Sequence, residues 1–287
     1  MRWKGLRTSR NIQDRRGSGG GRGGMRRAGG VGGIGLLAIV VIGALLGVDV
    51  TPLLQGGLGG GTMQSSAPSG PNEIDDSNEE FVAVVLAQTE TVWSDIFSQS
   101  GYDYAEPTLV LFSGGTTSGC GYAQSAMGPF YCPADQNVFL DMDFFRVMEQ
   151  DLGSSGEFAK AYVIAHEVGH HVQNLTGVLG EVNTERARVS QRESNALSVR
   201  VELQADCYSG IWARAVSESL SLTDADIRSA LDTAARIGDD ALQQAAGGRV
   251  VPDSFTHGTS EQRQRWFYAG YRSGDPGACD TFSTSDL

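Results

Sequence analysis

The sequence predicts an α+β, mostly helical domain that is preceded by one transmembrane helix. Three observations support this fold class. Residues 31–48 form an uncharged run of small and aliphatic side chains, apolar residues recur at helical spacing over several long stretches, and two short apolar runs lie among Gly and Pro. The 287 residues are enough for one substantial domain with appendages.

Residues 1–30 form a basic, Gly-rich leader. They hold nine of the 22 Lys and Arg residues, whereas all but one of the 34 Asp and Glu residues come later. Nucleic-acid binding would require basic residues on a folded face, which a coil-like leader does not provide. No nucleic-acid partner is therefore expected.

The run from Val31 to Val48 would measure about 27 Å as an α-helix, which is nearly the thickness of a bilayer core. A cleaved signal peptide is the alternative, but the residues around Val48 offer no small-x-small cleavage site. The excess of Arg before the run predicts a cytoplasmic N-terminus. We therefore expect a single-pass protein of the cell membrane with an extracytoplasmic domain.

Residues 49–78 are predicted to be a flexible linker, because Gly, Ser, Pro and acidic residues cannot bury enough apolar surface to become ordered. The folded domain is expected over residues 79–287 and begins with a core helix at 79–99. Strands are predicted at Pro107–Phe112 and Gln136–Asp141.

Four cysteines lie in the predicted domain. Cys120 and Cys132 lie between the two predicted strands, and a disulfide that closes this loop would contribute about 2–4 kcal/mol of stability. A structural metal site is the alternative, although it would want a closer CxxC spacing and further Cys or His ligands. Cys207 and Cys279 could then pair with each other, but four cysteines allow three pairings.

The pattern with the most chemical content is the HExxH motif of His166, Glu167 and His170, in a stretch predicted to be a helix of about five turns. Residues four apart lie on one helix face, so both imidazoles can reach one Zn²⁺ ion while Glu167 reaches a water molecule. His171 points about 100° away and is not expected to be a ligand.

A catalytic zinc site needs a third protein ligand and leaves the fourth position for water. Glu202 and Asp206 share one face of a helix predicted over residues 183–218. Glu202 is the predicted ligand, and Asp206 is placed to accept the free ring N–H of a ligand histidine. The alternative is a solvated acidic face, but the small and apolar neighbours of this pair favour a packed one.

His257 lies in a loop before a predicted helix that contains Trp266. A zinc peptidase needs a hydrogen-bond donor for the oxyanion of its tetrahedral intermediate, and His257 is the candidate. The alternative is a capping or buried structural role for this side chain.

Several motifs, in the same order, resemble those of the neutral zinc metallopeptidase family of bacterial membranes. The matching segments are 1–17, 120–123, 128–135, 166–173, 202–207, 255–258 and 279–282. The resemblance covers nearly the whole chain, and it implies a zincin-like domain of the gluzincin type. It also implies zinc as the cofactor and Glu202 as the third ligand. The resemblance does not supply a substrate, and a peptide or protein is the substrate expected from the zinc-hydrolase motifs themselves.

The predicted function is zinc-dependent hydrolysis of peptide bonds by a metalloendopeptidase, with Glu167 as the general base. The substrate is expected to lie extended along an edge strand, with Gln136–Asp141 as the nearest candidate. One alternative is a non-catalytic, zinc-containing scaffold domain, although such a site would have four protein ligands and no use for Glu167. A zinc hydrolase of a non-peptide amide is the other alternative.

Overall fold

The computed structural model describes residues 1–16, 72–124, 128–150 and 156–287. Its helices are α1 (Ser77–Gln99), α2 (Asp143–Gln150), α3 (Glu157–Leu175), α4 (Val178–Arg186), α5 (Gln191–Ala215), α6 (Asp224–Arg236), α7 (Asp239–Ala245) and α8 (Ser260–Ser273). Its strands are β1 (Ile12–Asp14), β2 (Thr108–Phe112), β3 (Gly115–Ser118), β4 (Gly121–Gln124), β5 (Phe130–Cys132) and β6 (Asn137–Asp141). The described part of the chain is therefore an α+β, mostly helical structure, as predicted.

Four of the strands form one sheet in the order β1-β2-β6-β5. The first three are parallel to one another, with Ile12 opposite Leu109 and Leu109 opposite Val138, whereas β5 runs antiparallel to β6. Strand β6 is therefore hydrogen-bonded on both sides. This corrects the expectation that a substrate lies along Gln136–Asp141, because β5 is the edge strand on that side of the sheet.

The two faces of the sheet are buried differently. Leu109, Leu111, Val138 and Leu140 join the main core, which also contains the apolar sides of α1, α3, α5 and α8. The opposite face carries a small cluster in which the rings of Phe130 and Phe139 stack with centroids 4.8 Å apart. The sheet thus supports helix α3, which carries the HExxH motif, through its first face.

The N-terminal residues 1–16 pack on this domain. The Trp3 side chain is 4% exposed, meets the Phe81 ring edge-on and donates a hydrogen bond from Nε1 to Glu157 at 2.9 Å. Ile12 enters the core through β1. The guanidinium of Arg16 pairs with four acidic side chains, those of Asp14, Asp75, Asp76 and Glu79.

Two predictions are wrong. One is the transmembrane helix, and the other is the location as a single-pass membrane protein with a cytoplasmic N-terminus and an extracytoplasmic domain. Within the described residues, no helix has the length and apolar character needed to cross a bilayer. The predicted span, residues 31–48, lies outside the described residues. A single crossing between β1 and β2 would also place these two strands on opposite sides of a membrane, and they are hydrogen-bonded neighbours.

The single helix predicted over residues 183–218 is two helices, α4 and α5. Ser190 caps the N-terminus of α5 with a capping box. Its side chain accepts a hydrogen bond from the Glu193 N–H, and the Glu193 carboxylate accepts one from the Ser190 N–H. This reciprocal pair satisfies backbone donors that a continuous helix would not leave free. The following part of α5 carries Glu202 and Asp206.

Candidate metal centre

Helices α3 and α5 cross at Gly169 and Ala205. A Cβ atom added to Gly169 would lie 3.1 Å from the Ala205 carbonyl oxygen and 3.3 Å from its Cβ. Only a glycine allows this approach without displacement of the neighbouring helix. The contact places Glu202 opposite His166 and His170.

The three predicted ligand side chains converge. The Nε2 atom of His166 lies 3.2 Å from one carboxylate oxygen of Glu202, and the Nε2 atom of His170 lies 3.6 Å from the other. Ligand atoms at zinc–ligand distances of about 2.1 Å in a tetrahedral site would be roughly 3.4 Å apart. The spacing and the chemistry of these donors therefore fit zinc.

The other nitrogen of the His166 ring is held by a buried carboxylate. His166 Nδ1 donates to Asp206 Oδ1 at 2.8 Å, and the Tyr162 hydroxyl donates to the same oxygen at 2.6 Å. Arg263 adds a two-point contact, from Nε to Oδ2 at 2.8 Å and from Nη2 to Oδ1 at 3.0 Å. Because Nδ1 of His166 keeps its proton and donates it in the hydrogen bond to Asp206, the lone pair of the ring is on Nε2 and faces the centre.

The charge of Asp206 is stabilised despite complete burial. Burial raises the pKa of this carboxyl, but the positive charge of Arg263 and the hydrogen bonds from His166 and Arg263 outweigh burial and hold the pKa at about 2. The predicted contact of Asp206 with a histidine of the HExxH motif is present, and Arg263 supplies the charge that keeps the carboxylate ionised.

The HExxH glutamate, Glu167, lies at the same centre with 8% of its surface exposed. Burial raises its pKa above the ordinary value, against the lowering effect of the neighbouring His170 and His166 rings. Its carboxylate makes no hydrogen bond to another side chain or main-chain group of the described residues. It is therefore free to accept a proton, and its raised pKa brings its basicity nearer to neutral pH.

His257 is oriented by Asp239, a carboxylate that is 3% exposed. One oxygen of Asp239 accepts from the backbone N–H groups of Thr256, His257 and Gly258 at 2.8, 2.6 and 3.0 Å, and the other lies 3.3 Å from His257 Nδ1. The His257 side chain itself is 50% exposed. The Nε2 atom of His257 has no hydrogen-bond partner among the described residues.

The loop that carries His257 packs next to Glu202. A Cβ added to Gly258 would lie 3.2 Å from Leu203 and 3.3 Å from Val199, two side chains on α5 that flank the ligand position. Partial burial of the ring lowers the pKa of His257, but the negative charge of Glu202 and the hydrogen bond and charge of Asp239 outweigh this effect and raise the pKa. The imidazole therefore lies within the electrostatic field of the centre and favours its protonated form.

His171 belongs to a different network. Its Nε2–H donates to the Ala105 carbonyl oxygen at 2.6 Å, and its Nδ1 accepts from the Tyr131 hydroxyl at 3.0 Å. Burial lowers the pKa of this ring. Because both nitrogens have partners away from His166, His170 and Glu202, His171 lies outside the group of converging donors.

All four cysteines are in disulfides, Cys120–Cys132 and Cys207–Cys279. The first ties the β3–β4 hairpin to edge strand β5. The second ties α5 to the short 3₁₀ helix Pro276–Cys279 and is completely buried. This disulfide therefore attaches the C-terminal segment to α5 at Cys207, the residue after Asp206.

Sequence reasoning missed four side chains of the centre, which are Tyr162, Gln173, Asp239 and Arg263. Gln173 lies inside the motif at residues 166–173, but its position in the motif does not show which atoms it contacts. Each of the four acts across a contact between distant chain segments. The local periodicity of a sequence does not reveal contacts between distant segments.

The chain matches the family described as "Putative neutral zinc metallopeptidase" over residues 1–282. It is similar to the uncharacterized protein YpfJ of Escherichia coli (strain K12), with 48% identity over 289 residues that cover 99% of this chain and 100% of that protein. It is also similar to the uncharacterized protein Rv2575 of Mycobacterium tuberculosis (strain H37Rv), with 48% identity over 209 residues that cover 69% of this chain and 68% of that protein. No solved structure matches the chain.

The family match covers residues 1–282, so it includes His166, His170 and Glu202. The donor set of two imidazoles and one carboxylate is one that zinc uses in hydrolases. The chain belongs to the family of putative neutral zinc metallopeptidases, and its cofactor is zinc.

Proposed function

We propose that the chain is an endopeptidase that hydrolyses peptide bonds with zinc held by His166, His170 and Glu202. The observation that carries this proposal is the convergence of three donors, with Glu167 beside them and without a fourth protein ligand among the described residues. Three protein ligands are typical of catalytic zinc sites, whereas structural sites generally use four. A zinc ion in such a site acts as a Lewis acid and lowers the pKa of water to about 7.

Glu167 is the proposed general base. Its carboxylate takes a proton from the attacking water molecule and later passes this proton to the nitrogen of the leaving amine. The raised pKa of Glu167 supports both steps, because a base of higher pKa holds the proton between them. The lack of another hydrogen-bond partner within the described part of the chain leaves both carboxylate oxygens available.

His257 is the proposed donor to the developing oxyanion. The Thr256 hydroxyl and the Asp239 carboxylate both contact Nδ1, at 3.0 and 3.3 Å, so in the protonated ring the Nε2–H is the free donor. A positive ring that is placed before the reaction stabilises negative charge that appears only in the transition state. The negative charge of Asp239, which raises the pKa of His257, supports the protonated form.

The proposed binding surface for the peptide is the outer edge of β5. Strand β6 occupies one edge of β5, and no strand of the described residues pairs with the other. Tyr131 in β5 accepts a hydrogen bond from Asn174 and donates one to His171, so the strand is attached to the helix that carries His166 and His170. An extended peptide could add to this edge through main-chain hydrogen bonds.

A direct test incubates the full chain with a library of unstructured peptides, with and without a chelator, beside the Glu167→Gln variant. We expect cleavage that the chelator abolishes and added zinc restores, and a variant that binds zinc without cleaving. Glutamine has the shape of glutamate but cannot act as a base, so the variant separates catalysis from metal binding. Zinc binding without peptide cleavage by the wild-type protein would refute the proposal and favour the scaffold alternative.

A further inference from the structure

The amide of Gln173 is completely buried and connects both ligand helices. Its oxygen lies 2.8 Å from His170 Nδ1, and its nitrogen donates to the Val201 carbonyl oxygen at 2.7 Å and to Gln204 Oε1 at 3.0 Å. Val201 directly precedes Glu202. One side chain therefore contacts the ring of one zinc ligand and the main chain beside another.

The partners of Gln173 determine its orientation. A main-chain carbonyl can only accept a hydrogen bond, so the nitrogen of the amide must face Val201 and its oxygen must face His170. His170 then carries its proton on Nδ1 and presents the lone pair of Nε2 to the metal. A carboxylate in this position could accept from His170, but it could not donate to Val201 or Gln204.

Gln204 extends the connection to the C-terminal segment. Its oxygen accepts from Gln173, and its nitrogen donates to the Cys279 carbonyl oxygen at 3.1 Å. Cys279 is bonded to Cys207. The acceptor at the end of this chain of hydrogen bonds is thus held in place by a covalent bond to α5.

The second ligand histidine is held in another way. His166 donates to the charged Asp206, which Arg263 fixes, whereas His170 donates to a neutral amide with no nearby cation among its partners. A neutral acceptor attracts the ring proton less strongly than a carboxylate. The orientation of His170 therefore depends on how firmly the amide itself is held.

We propose that Gln173 and Gln204 form a positioning relay that orients His170 for zinc and links that orientation to the main chain at Cys279. The inference rests on the proposed ligand set. Gln204 contacts no zinc ligand and acts through Gln173. Truncation of Gln204 leaves one N–H of Gln173 without its partner and lets the amide turn away from His170.

The test measures zinc dissociation constants of the full chain by competition with a chromophoric chelator. The variants are Gln173→Ala, Gln204→Ala and the double variant. Gln243→Ala serves as the matched control, because Gln243 is also a buried glutamine whose amide bonds to Val251 and Ser254. Loss of a residue that orients a metal ligand costs about 10- to 100-fold in metal affinity.

We expect Gln173→Ala to weaken zinc binding by about 10- to 100-fold and Gln204→Ala to weaken it less. In the double variant, Gln204→Ala should add nothing to Gln173→Ala, because the relay is already broken. The visible spectrum of the Co²⁺-loaded protein should change in both single variants and stay at the wild-type form in Gln243→Ala, since this spectrum reports ligand geometry and not stability.

Unchanged zinc affinity in Gln173→Ala, or effects of the two variants that multiply, would overturn the relay. If Gln173→Ala does not fold, Gln204→Ala still decides the matter, because unchanged affinity and an unchanged Co²⁺ spectrum in that variant contradict the proposal. A wild-type protein that does not bind zinc would instead refute the proposed ligand set, so the two failures are distinguishable.

Discussion

Gly169 of helix α3 lies directly against Ala205 of helix α5, with 3.1 Å between an added Cβ on the glycine and the alanine carbonyl oxygen. The contact falls between His166 and His170 on one helix and between Glu202 and Asp206 on the other. The separation of the two helices, and with it the distances among the ligand atoms, therefore depends on the size of residue 169.

The first prediction concerns this contact. Gly169→Val should weaken zinc binding, because a branched side chain forces the helices apart and costs about 1–3 kcal/mol of stability through overpacking. Gly169→Ala should have a smaller effect, since its contacts are tight but not impossible. Gly180→Val in helix α4 is the control, because a Cβ there meets nothing within 4 Å. Equal zinc affinities in all three variants and the wild-type protein would contradict the proposed role of the contact.

The second prediction concerns Arg263, whose side chain is 3% exposed and pairs with Asp206. Arg263→Met should lower the free energy of unfolding by about 3–5 kcal/mol, because it leaves a buried carboxylate without its cation. Arg265→Met in the same helix is the control. Its ion pair with Asp286 is exposed, so we expect a change of about 0–1 kcal/mol. Urea unfolding measures both variants.

The pH dependence of the Arg263 effect has a definite sign. The pKa of Asp206 is about 2, below its ordinary value of 3.8, so its charge stabilises the folded protein above the ordinary pKa. This contribution is lost as the pH falls toward 2. The difference in unfolding free energy between the wild type and Arg263→Met should therefore narrow at acidic pH, and a constant difference would contradict the assignment.

The third prediction concerns His257. If it donates to the oxyanion, His257→Ala should lower kcat by about 10²- to 10³-fold with little change in KM, and zinc content and Tm should stay near those of the wild type. A purely structural histidine would instead cost about 1–3 kcal/mol of stability and leave the activity of the folded molecules intact. Loss of zinc would identify His257 as a ligand.

The fourth prediction uses Asp239, which raises the pKa of His257. The protonated ring is the donor, so activity should fall as the pH rises through this raised pKa. Asp239→Asn keeps an oxygen for the three backbone N–H groups but removes the charge, so the alkaline fall should move to lower pH. Profiles of kcat against pH for the two proteins test this, and identical alkaline limbs would exclude His257 as the titrating donor.

Part of the centre could be predicted because its residues follow the periodicity of an α-helix. His166 and His170, like Glu202 and Asp206, are four residues apart on helices, so a repeat of 3.6 residues places each pair on one face. Asp239 and Arg263 could not be predicted in the same way. Asp239 lies 18 residues from His257, and Arg263 lies 57 residues from Asp206, so only the folded arrangement brings them together.

The fold shows the same division. The long apolar pattern of α1 and the strands β2 and β6 follow from local sequence, whereas β1 does not. Strand β1 has three residues in a basic, Gly-rich context, too few for a recognisable alternation, and it pairs with a strand about 97 positions later. Its pairing is also what contradicts the predicted membrane topology.

The fifth prediction concerns this N-terminal segment. Trp3→Ala should lower the free energy of unfolding by about 3–5 kcal/mol, because it removes a large side chain from the core and its bond to Glu157. Tyr102→Ala is the control, since Tyr102 is 71% exposed. Thermal unfolding measures both. A Trp3 variant as stable as the control would show that residues 1–16 do not belong to the folded domain.

The most direct test of the proposed centre is the zinc content of the purified full chain, compared among the wild type, Glu167→Ala and Glu202→Ala. A metal ligand contributes to affinity directly, whereas a general base does not. We predict one zinc ion per chain in the wild type and in the inactive Glu167→Ala variant, and loss of zinc from Glu202→Ala. Equal zinc content in the wild type and Glu202→Ala would contradict the account and the proposed ligand set.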